Sequence, residues 1–234
     1  MGQETSFKNC AGIRKEWEEP LMLDEKGFDL WADGYDKSVG ASDEEGSYPF
    51  AGYKQILNEI YNRVLAQKGK TVLDVGFGTG ILTRKLYERG CQIWGQDFSE
   101  RMIELAGEKM PGAKLYQGDF SEGLAEELKR NRYDAIIATY SLHHLTDGQK
   151  VGLLKTFLSL LKEDGCIYIG DVAFETRPEL ENQRSLAGDE WDEEEIYFVA
   201  DELREVFPKV KFQQFSFCAG LLTLGKDKVS LWDK

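Results

Sequence analysis

The sequence predicts a doubly wound α/β fold, and three observations carry that prediction. Short apolar runs alternate with amphipathic stretches between Lys70 and Val172, a glycine loop follows the first run, and an aspartate closes each of the first three. Continuous apolar runs suit strands whose two faces are both covered by helices, and strands alternating with helices build parallel sheets. The chain has 234 residues, 41% of them hydrophobic, which suffices for one sizeable core.

Each element follows from its local pattern. Residues 1–46 carry little periodicity and end in the acidic run Ala41–Gly46, so they read as an extension ending in a mobile loop, ahead of a globular domain at 47–234. Tyr53, Ile56, Leu57, Ile60, Tyr61, Val64 and Leu65 recur at helical spacing. Thr71–Val75 is the first strand, and the helix after the glycine loop runs through Glu88 to a stop at Gly90. Gln92–Gln96, Lys114–Gln117, Tyr133–Thr139 and Cys166–Val172 are the next four strands, with Ser99 as the N-cap of the helix carrying Met102 and Ile103. Lys209–Phe217 and Ala219–Gly225 read as an antiparallel pair closing the sheet edge, giving seven strands.

Charge and cysteine usage narrow the function. Twenty-nine basic residues against 42 acids leave a net charge of −13, so nucleic acid and anionic membrane are not expected partners. No apolar run reaches the roughly 18 residues of a membrane span, and the first ten residues have no secretory apolar region. Met1–Ser6 fits a loose myristoylation pattern without a basic second signal, and is read as coincidence. Cys10, Cys91, Cys166 and Cys218 lie far apart and read as free thiols of a reduced, cytoplasmic protein.

In a doubly wound sheet, ligands bind beyond the carboxyl ends of the strands. Those ends are Asp74–Gly80, Asp97, Asp119, Thr139 with Tyr140, and Asp171; Asp74, Asp97 and Asp119 are spaced 23 and 22 residues apart, which brings three carboxylates to one rim. The loop Gly76-Phe77-Gly78-Thr79-Gly80 is shaped for close backbone approach. Ile81 breaks the dinucleotide fingerprint, and no Gly-Lys-Ser/Thr follows for a phosphate loop. His143 and His144 are the only histidines; neighbours in sequence rarely ligate one metal, so no metal is expected, and they read as a strand-to-helix turn with a general-base role open. In the acidic run Asp189–Glu195, Asp192 reads as an N-cap with Glu195 as its capping-box partner and Trp191 and Ile196 as a staple, while Phe174, Trp191 and Tyr197 are candidates to roof a substrate pocket.

Val72–Gly80 resembles the first motif of class I S-adenosylmethionine-dependent methyltransferases, and Trp94–Met102 resembles their second. Gln117–Phe120 is similar to their adenine site, and Tyr133–Ile137 continuing into Leu142–Leu145 is similar to the motif around their fourth strand. The resemblance spans about residues 28–225 and implies a Rossmann-like, mostly parallel seven-stranded sheet. It implies S-adenosylmethionine as cofactor, leaving as S-adenosylhomocysteine (SAH). It places Gly76, Phe77, Gly78, Thr79 and Gly80 at the methionine moiety with Asp74 near its amino group, and Asp97 on the ribose with Phe98 and Met102 beside it. Gly118, Asp119 and Phe120 fall at adenine, and Thr139 and Tyr140 at the end of the fourth strand. Trp31–Tyr35 resembles the N-terminal lid of small-molecule members, with Tyr35 facing the sulfonium and a candidate, beside His143 and His144, for a part in catalysis. Among subgroups the chain looks most like the uncharacterised bacterial YrrT-type enzymes.

The expected reaction is methyl transfer to a small molecule by in-line displacement, which asks chiefly for orientation. Thr139-Tyr140-Ser141-Leu142 stands where amino-methylating nucleic-acid enzymes carry Pro-Pro-aromatic, and the Pro-Cys of cytosine C5 enzymes is absent. A nicotinamide-dependent oxidoreductase and a non-catalytic cofactor-binding protein of the same fold stay open, as do the acceptor and the choice between monomer and homodimer.

Overall fold

A computed structural model describes residues 47–226; the extension at 1–46, with Trp31 and Tyr35, lies outside the described residues. Helix α1 (Tyr53–Ala66) leads into β1 (Thr71–Val75), α2 (Ile81–Glu88), β2 (Gln92–Asp97), α3 (Glu100–Lys109), β3 (Lys114–Gln117), α4 (Glu126–Lys129) and β4 (Tyr133–Thr139). After a 3-10 turn at Leu142–His144 come α5 (Asp147–Leu160), β5 (Leu161–Phe174), α6 (Arg177–Ala187), β6 (Phe198–Val199), α7 (Ala200–Val206), β7 (Lys211–Gln214) and β8 (Ala219–Gly225).

The strand order is β3-β2-β1-β4-β5-β8-β7, with β6 pairing off this path onto the end of β5. Strands β1 to β5 are parallel neighbours, and β8 runs antiparallel to both β5 and β7. The expected sheet is thus present, with β6 an eighth strand that the sequence reading did not contain. The order reverses at β1, between β2 on one side and β4 on the other, so the crevice of this sheet opens at the end of β1.

Alternation along the strands builds a core on each face. Val72, Ala135 and Ile137 pack with Ile56, Ile60 and Val64 of α1 and Leu82 and Leu86 of α2. Leu73, Val75, Ile136 and Ala138 pack with Leu153, Leu154 and Phe157 of α5. Each fully buried aliphatic side chain contributes about 1.5–3 kcal/mol, and these two layers make β1 and β4 the spine of the molecule. Local chemistry sets the helix starts: the Ser99 hydroxyl accepts from the Met102 N–H at 3.2 Å, and α5 and α6 open on the capping boxes Thr146/Gln149 and Thr176/Glu179.

One expectation is corrected. No helix begins at Asp192: residues 188–190 form a 3-10 turn, and the chain then runs irregularly to β6. Trp191 and Tyr197 are buried instead, with Trp191 stacked on Tyr48 at 5.5 Å and edge-on to Tyr197 at 4.9 Å. The Ile196 N–H donates to the His143 carbonyl at 2.8 Å, and the buried Lys150 ammonium donates to the Ile196 carbonyl. These tertiary bonds hold the backbone extended and outweigh the local capping signal. Strand β5 is also longer than expected, beginning at Leu161 and reaching Phe174.

Cys91 and Cys218 are buried, Cys166 is half-buried, and all three are free thiols. Among the described residues no helix is long and apolar enough to cross a membrane.

Helix α1 lies against β5 at Gly170, where an added Cβ would stand 2.3 Å from Ile56 Cγ2. Gly170→Ala is expected to lower stability by about 1–3 kcal/mol through overpacking. Urea unfolding should show it costing less in an Ile56→Ala background, where the obstructing carbons are gone; equal costs in both backgrounds would contradict this packing.

Candidate active site at the carboxyl ends of the strands

The site is built around the turn that follows β1. Gly76, Gly78 and Gly80 take φ of +72°, +54° and +75°, a region that side chains with a Cβ rarely adopt. Gly76 is needed for a second reason, since a Cβ there would stand 2.3 Å from that of Ser141. A Cβ added at Gly78 would meet nothing within 4 Å, so the loop's middle opens into space. Gly80 caps α2, whose N-terminus therefore points its free N–H groups toward the loop.

Two of the three rim carboxylates converge on that loop. Asp97, buried at the end of β2, accepts from the Gly78 N–H at 2.9 Å through Oδ2 and from the Ser99 N–H at 3.0 Å through Oδ1. Asp74 is buried in β1; its Oδ2 accepts from the Thr83 hydroxyl, and its Oδ1 has no partner among the described residues. Burial drives the Asp74 carboxyl up to about 7, helped by the charge of Asp97 and only partly offset by Thr83. The third acid departs from the expected grouping. Asp119 is exposed, and its carboxylate accepts from the Ser121 N–H at 2.8 Å in a local turn.

Two adjoining hollows flank the loop. Gly76, Gly78, Asp97, Phe98, Met102, Phe120, Tyr140, Ser141 and His144 line one of them. The other is lined by Asp74, Gly76, Phe77, Gly78, Thr79 and Thr139, together with Tyr53 and the first turn of α2. Most residues singled out in the sequence therefore meet at one place. Phe77 contributes backbone, because its ring belongs to a small core with Ala106 and Met110. Gly118 sits apart from both hollows against Gln96. Tyr140 takes φ of +49° where β4 ends, and its ring packs on Phe50 and Tyr53 at 5.3 and 5.0 Å. Sequence reasoning missed Tyr53, Thr83 and Ser141 as lining residues. Tyr53 reads as core in a helical stripe, and nothing local marks the other two.

A charged cluster stands beside the first hollow. His143 is buried, with Nδ1 at 2.6 Å from Asp171 Oδ1 and Nε2 at 3.4 Å from Glu195 Oε1. The Glu195 Oε2 accepts from the Tyr197 hydroxyl at 2.6 Å. Burial alone would lower the His143 pKa, but Asp171 and Glu195 outweigh it and push the imidazole up to about 9. His144 keeps exposed surface, and partial desolvation together with the neighbouring His143 charge holds its pKa below the usual imidazole range. Glu195 was expected to cap a helix; it reaches His143 because residues 191–197 fold back over the 3-10 turn.

Comparison with known proteins places this architecture. Residues 72–165 match the model of a methyltransferase domain. An uncharacterized methyltransferase of Geobacillus kaustophilus is 38% identical over 195 residues, covering 79% of this chain and 86% of its own length. Another, from Oceanobacillus iheyensis, is 34% identical over 196 residues, with 81% and 87% covered. Among solved structures, the complex of DhpI with SAH superimposes with a TM-score of 0.63 at 17% identity, covering 87% of this chain and 96% of that one. Magnesium protoporphyrin IX methyltransferase from Synechocystis with bound SAH gives 0.61 at 17%, covering 86% and 98%. The fold and the loop after β1 define a class I, Rossmann-like methyltransferase architecture. The chain belongs to the methyltransferase family of these bacterial relatives.

The buried Asp74 makes a testable demand on stability. Its folded pKa is raised from 3.8 to about 7, so the folded state holds the proton more tightly than the unfolded chain. Stability from this group is full below about pH 4 and lost as pH rises to about 7. Asp74→Asn is expected to stabilise the protein at pH 8 relative to wild type, with the gain shrinking toward pH 5. Urea midpoints at the two pH values check it; a gain that does not change with pH would refute the assignment.

Proposed function

We propose that this methyltransferase moves a methyl group from S-adenosylmethionine to a small-molecule acceptor by in-line displacement. The observation that carries the reading is the convergence of Asp97 and Asp74 on the glycine loop at the point where strand order reverses. The residues fit the cofactor's parts. Each Asp97 oxygen accepts one backbone N–H, and a carboxylate oxygen can accept a second bond, here from a ribose hydroxyl. The unpartnered Oδ1 of Asp74 lies where a cationic amino group would satisfy it. Phe98, Met102 and Phe120 line the first hollow and offer apolar surface for adenine. The backbone of Gly76 to Gly80 receives the methionine portion, and Thr139 and Tyr140 stand near the sulfonium, which Tyr35 of the extension would cover.

When bound, S-adenosylmethionine supplies a methyl already activated by its sulfonium. The chain's task is to hold an acceptor atom in line with that methyl and to keep water out, and proximity and orientation can supply most of the rate. The acidic surface and the missing nucleic-acid signatures at Thr139–Leu142 favour a small acceptor. The YrrT-type grouping of the chain is proposed on its sequence resemblance alone.

Calorimetric titration of SAH into the full chain tests the reading. Binding in the micromolar range is expected, about −8 kcal/mol, with at least a tenfold loss in Asp97→Ala. Asp97→Asn, which keeps shape and removes charge, controls for collapse of the loop and should also weaken binding. Absence of any heat or competition at high SAH would overturn the cofactor assignment, and unchanged affinity in both variants would overturn the role of Asp97.

A further inference from the structure

We propose that His143, His144 and Glu195 form a divalent transition-metal site on the wall of the hollow, one that holds the methyl acceptor through an ionisable oxygen or sulfur. The proposal rests on the methyltransferase reading of the hollow given above, and it concerns the part of the site that the cofactor does not fill.

Geometry carries it. Donor atoms of the three side chains lie within 4.8 Å of one another, and His144 lines the hollow itself. The His143 Nε2 to Glu195 Oε1 distance is 3.4 Å. A charge-assisted hydrogen bond would close to about 2.7–2.9 Å. Two donors bound tetrahedrally at about 2.0–2.1 Å from one ion stand roughly 3.3–3.4 Å apart. The pair is therefore spaced as the edge of a coordination polyhedron.

The surroundings orient both donors. His143 Nδ1 faces Asp171 Oδ1 at 2.6 Å, which directs Nε2 away toward Glu195. A carboxylate behind a ligating imidazole fixes its tautomer and raises its basicity. The Glu195 Oε2 is occupied by the Tyr197 hydroxyl, leaving Oε1 toward the histidines. The Ile196 N–H on the His143 carbonyl and the Lys150 ammonium on the Ile196 carbonyl lock the two segments together.

Two imidazoles and one carboxylate suit zinc or iron(II) and leave coordination positions open. His144 lines the hollow, so an ion held there would stand at its wall, within reach of an acceptor bound in it. An acceptor hydroxyl or thiol bound there loses its proton to solvent more readily. Its lone pair then forms the new bond to the methyl carbon as the carbon–sulfur pair leaves with the sulfur, and no oxidant or reductant is consumed.

Cobalt(II) chloride titrated into the metal-stripped full chain, read by visible d–d absorption and calorimetry, tests the site. One saturable site per chain is expected. His143→Ala and Glu195→Gln should each weaken it at least tenfold, and Asp171→Asn by about 10–100-fold. Glu193→Gln, an exposed neighbour paired with Arg184, should leave it unchanged. Circular dichroism and SAH titration on each preparation report the fold and the cofactor site separately. No saturable cobalt binding, or binding that survives Glu195→Gln with the fold intact, overturns the metal site. If SAH binds while cobalt does not, the metal site alone falls. If cobalt binds while SAH does not, the cofactor reading falls instead.

Discussion

The turn after β1 is the constraint on which the rest of this structure depends. β1 is buried between β2 and β4 with a core on each face, so its end cannot move without disturbing both layers. The chain must then reverse within five residues to start α2. Glycine accepts without strain the positive φ angles that this requires, and at Gly76 only glycine clears Ser141. Asp97 fixes the turn from the neighbouring strand by accepting the Gly78 N–H. A single carboxylate thus ties β2 to the loop of β1, and the two hollows exist because that loop cannot relax into them.

Electrostatics divides the rim into two regions of different character. On the cofactor side, Asp74 is buried with one oxygen unpartnered, so its ionisation is unfavourable until a positive group arrives. In the proposed complex a ligand ammonium would satisfy that oxygen, and binding would offset part of the cost of burying the carboxylate. Across the loop, His143 lies between Asp171 and Glu195, whose carboxylates raise the ring's affinity for a positive charge. Both regions are arranged for cations, which agrees with a cofactor that carries an amine and a sulfonium. The exposed Asp119, satisfied by its own turn, has no comparable stake.

The legible part of this protein is the part with short-range physics. Apolar runs such as Ala135–Ala138 declare strands covered on both faces, and Ser99 declares the start of α3 through its own hydroxyl. The glycines and the acids at strand ends follow from the same periodicity, so most lining residues were readable from the sequence. Residues 188–199 were not. Their acidic capping pattern is a local preference worth about 1 kcal/mol, whereas burying Trp191 and Tyr197 and bonding Ile196 to His143 and Lys150 draws on residues 40 or more positions away. Glu195 therefore reads as a cap in the sequence and stands against His143 in the fold. Thr83 escaped notice for a similar reason, since a threonine inside a helix gives no sign of the carboxylate beneath it.

The proposed function turns on Asp97 and Asp74 holding opposite ends of one cofactor across the glycine loop. A crystal structure of the full chain with SAH measures this most directly. Both ribose hydroxyls are expected within hydrogen-bonding distance of the Asp97 carboxylate, the amino group at the Asp74 side of the loop, and adenine against Phe120. Ligand density elsewhere on the sheet edge, or a ribose turned away from Asp97, would contradict it.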